Sequence, residues 1–478
     1  MNDEPNVMVT PATVVGRSAP PRRTASADDV PAGVGTTSVS AAPLRLEVMG
    51  GLAECSGGLV LTYPLDYGVR VTVRAREDQS VFVQVRRSSG GDVVRTLSLP
   101  LTALGDGAAS SPTVEEAVAR IPATAEPAAA MAIAAWVGGI RAGLLPGADR
   151  GISFSIVENV PPGETDLGSA PATAAAALSA CIKLSGVELD AQRAAQVCAD
   201  AEFAVLRRPC GQVDALAALV GRAQSLLPAR GRPLLADSPL SLPEDAALVG
   251  IICGSTSPDW VTSLSHTRAA AQMGRVLIER IASHEKLSHL RLDGLLSRLT
   301  MSDYVERFRD RLPTRLSGED FIARFGDEID PRVRIEPRTT YKVRSRTEHH
   351  IYENARSVQF AERLSRYART GDAGTLVEAG ELMYASHWSH SQRCGLGSVQ
   401  TDRLVAQLRR RGAASGILGA KSSGRGCGGL VVALIRRTPS ALEALSEVCA
   451  EYERCGERPC LLLTGSSDGA AATRGSEP

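Results

Sequence analysis

The chain has 478 residues, 44% of them hydrophobic, and its 53 Lys and Arg residues balance 53 Asp and Glu. This length predicts two or more domains with ample apolar material for a core, and a formal charge of zero argues against global steering toward nucleic acid or an anionic membrane. No run of about eighteen apolar residues occurs, and MNDEPNVMVT lacks the basic and apolar regions of a signal peptide, so the expectation is a soluble cytoplasmic protein without membrane or nucleic-acid partners.

In chain order, residues 1–40 are rich in Pro, Ser, Thr and Ala without periodicity, and the closing stretch has the same character. Neither end can bury enough to offset ordering entropy, so both are expected as flexible tails. Leu59 to Leu65 reads as a strand; Val69, Val71, Val73 and Val81, Val83, Val85 alternate as two more, with Arg76 to Gln79 as the turn. Ala128 to Leu144 is the first long helix. Ile152, Phe154 and Ile156 then alternate with serines and lead through Pro161-Pro162-Gly163 into an alanine run with no charge before Lys183, which reads as strand, glycine loop and buried helix. In that loop Gly163 and Gly168 let the backbone approach a ligand, Ser169 supplies a hydroxyl and Pro171 suits the first helical turn. Free amides and the positive dipole end face one spot, which is a phosphate cradle in principle, although no Lys follows as it does in a P-loop.

Asp190 to Leu206 and Gln212 to Leu227 read as helices, and Arg230 to Ala246, with three prolines, breaks the periodicity and marks the joint between domains. Beyond it come a strand at Leu248 to Cys253 and a helix at Ser265 to Ala282. Two short strands then flank a glycine block, and a helix at Ser440 to Glu451 and a strand at Cys460 to Thr464 follow. This order fits an α+β protein with two sheets. Ten cysteines without a CxxC pair read as small apolar fillers of a reduced protein.

Three blocks of the chain carry a resemblance. Ala42-Pro43-Leu44-Arg45-Leu46-Glu47-Val48-Met49-Gly50-Gly51-Leu52-Ala53-Glu54-Cys55-Ser56-Gly57-Gly58, the loop PPGETDLGSAPA, and Gly419-Ala420-Lys421-Ser422-Ser423-Gly424-Arg425-Gly426-Cys427-Gly428-Gly429 resemble, in order, the three motifs of the GHMP sugar and mevalonate kinases, the first in its L-arabinokinase form. The resemblance continues through Cys210-Gly211-Gln212-Val213-Asp214, through the stretch from Thr347 to Asn354, and through Gly380-Glu381-Leu382-Met383-Tyr384. It implies an α+β, two-domain GHMP kinase fold, with an N-terminal domain like that of a ribosomal protein over residues 41–235 and a ferredoxin-like C-terminal domain over 236–465, between tails at 1–40 and 466–478.

The implied activity is an ATP-dependent sugar-1-kinase that phosphorylates the anomeric hydroxyl of an L-arabinose- or galactose-like monosaccharide, with ATP and Mg2+ as cofactors. Phosphoryl transfer needs phosphates and metal held, positive charge over the transferring group and often a carboxylate near the acceptor. The resemblance gives Arg45 the role of that cation and Asp214 that of the catalytic carboxylate. It assigns Glu54, Gly57 and Gly58 to the sugar, Gly163, Gly168, Ser169, Gly424 and Gly426 to the nucleotide, and Ser169 with Glu202 to magnesium. The motifs also depart from the family. Asp166 replaces a glycine of the second motif, Ala170 a serine, Arg425 a glycine of the third, Leu44 the glycine of the first, and Glu54 the usual aspartate. An acid inside a phosphate cradle repels the ligand, so the alternative is a catalytically impaired kinase-fold protein that binds a sugar or a partner. His349-His350 is expected as a surface pair, and Arg409-Arg410-Arg411 as a solvated face.

Overall fold

The computed structural model describes residues 14–15, 36–88, 94–104, 113–162, 166–207, 210–254, 257–287, 289–326, 328–330, 333–426 and 428–471. A two-residue strand β1 (Val14–Val15) precedes the first large sheet. That sheet is built from β2 (Thr37–Met49), β3 (Leu59–Ala75), β4 (Ser80–Arg87), β5 (Val94–Pro100), β6 (Ile152–Asn159), β7 (Ser225–Gly231) and β8 (Leu234–Ala236). Its order is β5-β4-β6-β3-β7-β8, with β2 paired to β3 and the short β9 (Leu240–Ser241) paired to β7.

The strands expected at Leu59 to Leu65 and Val69 to Val73 are one continuous element, β3. The chain does not turn at Gly68, which lies so close to β2 that a Cβ there would be 2.4 Å from the Ala42 carbonyl oxygen. β2 follows alongside and absorbs the mismatch in a bulge between Pro43 and Arg45. α1 (Val114–Ala119), α2 (Pro127–Arg141), α3 (Ser169–Leu184), α4 (Ala191–Leu206) and α5 (Gln212–Val220) complete this half. α3 is buried along most of its length, and its alanines let it lie close on β2 and β3. The helix expected from Gln212 to Leu227 ends at Val220, and Leu226 and Leu227 belong instead to β7. Gly221 closes the helix, and a short apolar run beyond a glycine serves equally well as a buried strand.

The second sheet runs β1-β15-β10-β14-β13, from β10 (Ala246–Ile252), β13 (Ile417–Ser422), β14 (Leu430–Arg436) and β15 (Leu461–Leu463). Side chains alternate across it. Val431, Ala433 and Ile435 join the core under α11 (Val399–Arg411) and α12 (Pro439–Arg454). Leu430, Val432 and Leu434 join the large core that also holds the first sheet. Between β10 and β13 in the chain come α6 (Trp260–His284), α7 (Met301–Asp303), the antiparallel pair β11 (Leu316–Ser317) and β12 (Thr340–Tyr341) with α8 (Gly318–Phe325) between them, α9 (Val343–Thr370) and α10 (Ala373–Trp388).

Both ends depart from the expected tails. β2 begins at Thr37, and Val14–Val15 pairs in parallel with Leu462 and Leu463. At the other end Ser466 and Ser467 donate hydroxyl bonds to the Pro64 and Leu65 carbonyls, Ala470 is fully buried, and its amide reaches the Ala218 carbonyl at 2.9 Å. Composition missed this because the segment is held by its backbone and by one small side chain, neither of which leaves a hydrophobic pattern. Among the described residues no helix is long and apolar enough to cross a membrane.

Candidate active site

The bulge in β2 turns Arg45 inward, and it is 3% exposed. Its Nε and Nη2 donate to the two carboxylate oxygens of Asp214 at 2.7 and 2.8 Å, a side-on fork. Asp214 lies in the first turn of α5, where the helix dipole also favours its charge. A second guanidinium, Arg425, lies across the same group: its Nη2 is 3.4 Å from Asp214 and 3.0 Å from Glu202 of α4, and its Nε is 3.2 Å from Asp166. Arg45 also reaches the Asp166 side chain at 3.3 Å and donates to the Asp166 carbonyl. Five buried ions from five parts of the chain therefore form one cluster, two guanidiniums against the carboxylates Asp166, Glu202 and Asp214. Burial alone raises a carboxyl pKa, but Arg45 and then Arg425 outweigh it and hold Asp214 below its ordinary value. Burial likewise opposes charge on both arginines, and the acids around them overcome it and raise both.

β2 carries the joint to the other motifs as well. The Arg45 amide donates to the Leu167 carbonyl at 2.9 Å, tying the first motif to the second. The Glu47 amide donates to Ser423 Oγ at 2.9 Å, and Lys421 Nζ lies 3.0 Å from the Glu47 carboxylate, tying it to the third.

Two of the departures in the motifs meet here. Asp166 accepts from the Arg425 amide at 2.8 Å as well as from its guanidinium. Gly424, at φ +84°, is what allows the approach, since a Cβ there would lie 2.8 Å from Asp166 Cβ. One backbone donor of the third motif, the Arg425 amide, is thus taken by a carboxylate of the chain itself. Glu202, expected to hold metal, has Arg425 on its Oε1 at 3.0 Å. Among the described residues no group of three or more His, Cys, Asp or Glu is arranged to hold a metal ion. In this arrangement Arg425 stands on Asp166 and on Glu202, the carboxylate expected to hold magnesium.

The remaining expected residues fall as follows. Ser169 opens α3, and Gly168 before it has φ +78° and packs on the Arg45 side chain. Gly163 lies outside the described residues. Gly426, at φ +100°, packs on Leu396. Gly57 and Gly58 shape the turn into β3, where a Cβ would meet Ser297 and Ala53 respectively, and they do not line the adjoining cavity. Glu54 does line it, and its Oε1 accepts from the Val213 amide at 3.0 Å, so it caps α5 from the cavity side. Burial, and next the charge of Asp214, push the Glu54 carboxyl up.

That cavity, about 350 Å³, opens beside the ion cluster, walled by Glu54 and the Cys210-Gly211-Gln212 turn on one side and by α6 on the other. The α6 wall was missed from sequence. Leu264, Arg268 and Gln272 recur every four residues and all are buried, so a polar pair on an otherwise apolar stripe was the available signal. His349 and His350 are not at the surface: α9 is covered on both sides, and they bond Ser389 and Ser56, each at 3.0 Å. His387 and His390 are buried too, with His387 Nδ1 accepting from the Ser422 amide at 3.2 Å.

Residues 127–222 match the model of the GHMP kinases N terminal domain, and residues 367–454 match that of the GHMP kinases C terminal. An L-arabinokinase of Arabidopsis thaliana is 28% identical over an alignment of 482 positions that covers 90% of this chain and 46% of that protein, so the chain spans about half the length of this relative. The solved Lactococcus lactis galactokinase, complexed with galactose, superposes with a TM-score of 0.64 at 18% identity, covering 91% of this chain and 94% of its own. The Methanococcus jannaschii mevalonate kinase superposes at 0.53 with 11% identity, covering 90% and 99%. At these identities the two structures speak to the fold alone. That fold is the two-domain, mixed α and β architecture of the GHMP kinases. The chain thus matches the models of both GHMP kinase domains and is similar in sequence to an L-arabinokinase.

Proposed function

We propose that the chain is an ATP-dependent sugar kinase that phosphorylates the anomeric hydroxyl of an L-arabinose- or galactose-like monosaccharide to a sugar 1-phosphate. The observation that carries this reading is the Arg45–Asp214 fork, whose two halves come from separate motifs and meet beside a cavity of about 350 Å³, large enough for one sugar ring. Arg45 supplies fixed positive charge in a water-poor place, where it acts far more strongly than in bulk solvent. With both oxygens engaged, Asp214 is a weak base, and its part is to orient Arg45 and to attract the acceptor proton as transfer proceeds. Glu54, on the cavity side and holding its proton more readily, is placed to bond a sugar hydroxyl. A bound nucleotide would supply the phosphoryl group and an accompanying magnesium ion its charge neutralisation, with Ser169, Gly168, Gly424 and Gly426 as the residues proposed to hold the nucleotide and Glu202 the metal. Before they enter, Arg425 must leave Asp166 and Glu202.

The test is turnover with Mg·ATP and with arabinose or galactose as acceptor. Asp214→Asn keeps shape and removes charge, so kcat should fall by about a hundredfold or more while sugar affinity changes much less. Equal turnover in the two proteins sinks the assignment. The second reading, a kinase-fold protein that has lost transfer and keeps sugar binding, is favoured by the Asp166 carboxylate, which accepts from the Arg425 amide and guanidinium of the third motif. It predicts sugar-dependent thermal stabilisation with none from Mg·ATP.

A further inference from the structure

On its own strand Arg45 has an acidic neighbour that the fork does not use. From Arg45 to Glu47 the pairing of β2 with β3 is regular, so the two side chains share one face of the strand, roughly 7 Å apart along it, while Leu44, Leu46 and Val48 enter the large core. Both are buried. Within the ion cluster two guanidiniums face three carboxylates, which leaves one negative charge in excess. A bare Glu47 carboxylate would add another beside the cation that phosphoryl transfer needs. Lys421, 2% exposed near the end of β13, offsets it, with its Nζ 3.0 Å from Glu47 Oε1. Gly51 makes room for that carboxylate, since a Cβ there would lie 2.1 Å from Glu47 Oε2.

From this geometry we propose that Lys421 is a positioning residue for phosphoryl transfer: by cancelling the charge of Glu47 it leaves Arg45 to Asp214 and to the transferring group, without touching substrate itself. This rests on the sugar-kinase reading and adds a residue to its machinery. The forces on Glu47 are opposed. Burial raises its carboxyl, Lys421 and then Arg45 draw it down, and Asp214 pushes it up. Glu353 of α9, which accepts from the Gly50 amide at the end of β2, has Arg356 as its own cation. Without Lys421 the Glu47 carboxyl rises further, so that it is neutral in weak acid and charged in weak base.

The experiment compares the full chain with Lys421→Met and with Lys421→Met combined with Glu47→Gln, at pH 6 and pH 8. The readouts are turnover with Mg·ATP and arabinose or galactose, calorimetric titration of the sugar alone, and urea unfolding. In Lys421→Met, kcat at pH 8 should fall about ten- to a hundredfold, the scale of one unbalanced charge at this separation, and should recover toward pH 6, while sugar affinity changes much less. Adding Glu47→Gln should restore turnover at both pH values. Stability of Lys421→Met should decline from pH 6 to pH 8 more steeply than that of the wild type, because a carboxyl raised in the folded state loses its contribution as pH rises. In the double variant that extra slope should vanish. A loss of turnover that is the same at both pH values overturns the proposal, as does full turnover in Lys421→Met at pH 8. A double variant that does not fold, or folds without turnover, also overturns it, and it decides the matter alone where Lys421→Met does not fold. These outcomes leave the sugar-kinase reading standing, whereas absence of turnover in the wild type overturns both together.

Discussion

Asp166 and Arg425 each contradict the motif in which they stand, and the contradiction disappears when the two are taken together. An acid in a phosphate loop and an arginine in a glycine block, 259 positions apart, hydrogen-bond through side chain and backbone in a place where both are buried. Either change alone would leave an uncompensated buried charge, which typically costs about 3–5 kcal/mol. Arg425→Gly should therefore destabilise the fold strongly, since Asp166, Glu202 and Asp214 would each lose a buried cationic partner. Asp166→Gly should cost less, because Arg425 keeps Glu202 and Asp214. Restoring both glycines should cost less than the sum of the singles, with a coupling on the order of 1–3 kcal/mol. Urea unfolding of the four proteins measures it, and strict additivity would mean that the pair does not act as a unit. The double variant should also bind Mg·ATP more tightly than the wild type, because the acid that repels phosphate is gone and the amide of residue 425 is released. The sequence displays both departures, but nothing in it says that they touch. Contacts between distant loops leave no periodicity to read.

At the level of elements, the legible parts are those that bury a face by local rules. The alternating valines of β3 and β4, the alanine helix α3 and the strands around the glycine block follow from period and turn residues, as does the capped start of α4 at Asp190. Arg45, Asp214 and Glu202 were legible through motifs and do converge, whereas Ser169 as a metal partner and Gly57 and Gly58 as sugar contacts do not follow from the geometry. Less legible is why certain glycines stand where they do. Gly380 of α10 faces β13 so closely that a Cβ would lie 2.0 Å from the Leu418 carbonyl oxygen, and Gly419 returns the contact with a Cβ position 2.5 Å from Gly380 Cα. Two elements pack here backbone to backbone. Gly380→Ala gains up to about 1 kcal/mol in helix propensity but must push α10 off the strand. A net loss of about 1–3 kcal/mol is expected, as for overpacked cores. A lowered denaturation midpoint with an unchanged m-value would bear this out; a stabilised protein would mean that the helix slides freely.

For the whole molecule, the polar layer between the two sheets sets the response to pH. His349, His350 and His390 are buried around α9 and α10, near Glu353, Lys421, Arg356, His387 and Asp402. Burial pushes all three imidazoles down, His350 and His390 to about 3, from an ordinary value of 6.5. The unfolded chain therefore binds protons below pH 6.5 that the folded chain refuses. Stability from these groups is complete above that value and is lost as pH falls toward 3, by about 1.4 kcal/mol per group per unit. Glu353, held low chiefly by Arg356 against its burial, adds loss in the same direction below its ordinary value of 4.5. Glu47 and Glu54 act oppositely, because burial raises their carboxyls and acid favours their folded form. Three histidines against two carboxyls leave a net loss, so the melting temperature should fall between pH 7 and pH 5. His390 is the cleanest probe, since neither ring nitrogen has a hydrogen-bond partner among the described residues. His390→Leu removes one titrating group with no bond to lose, so its melting temperature should fall less steeply over the same range. Melts of both proteins at pH 7, 6 and 5 check this, and parallel slopes would show that acid enters the fold elsewhere.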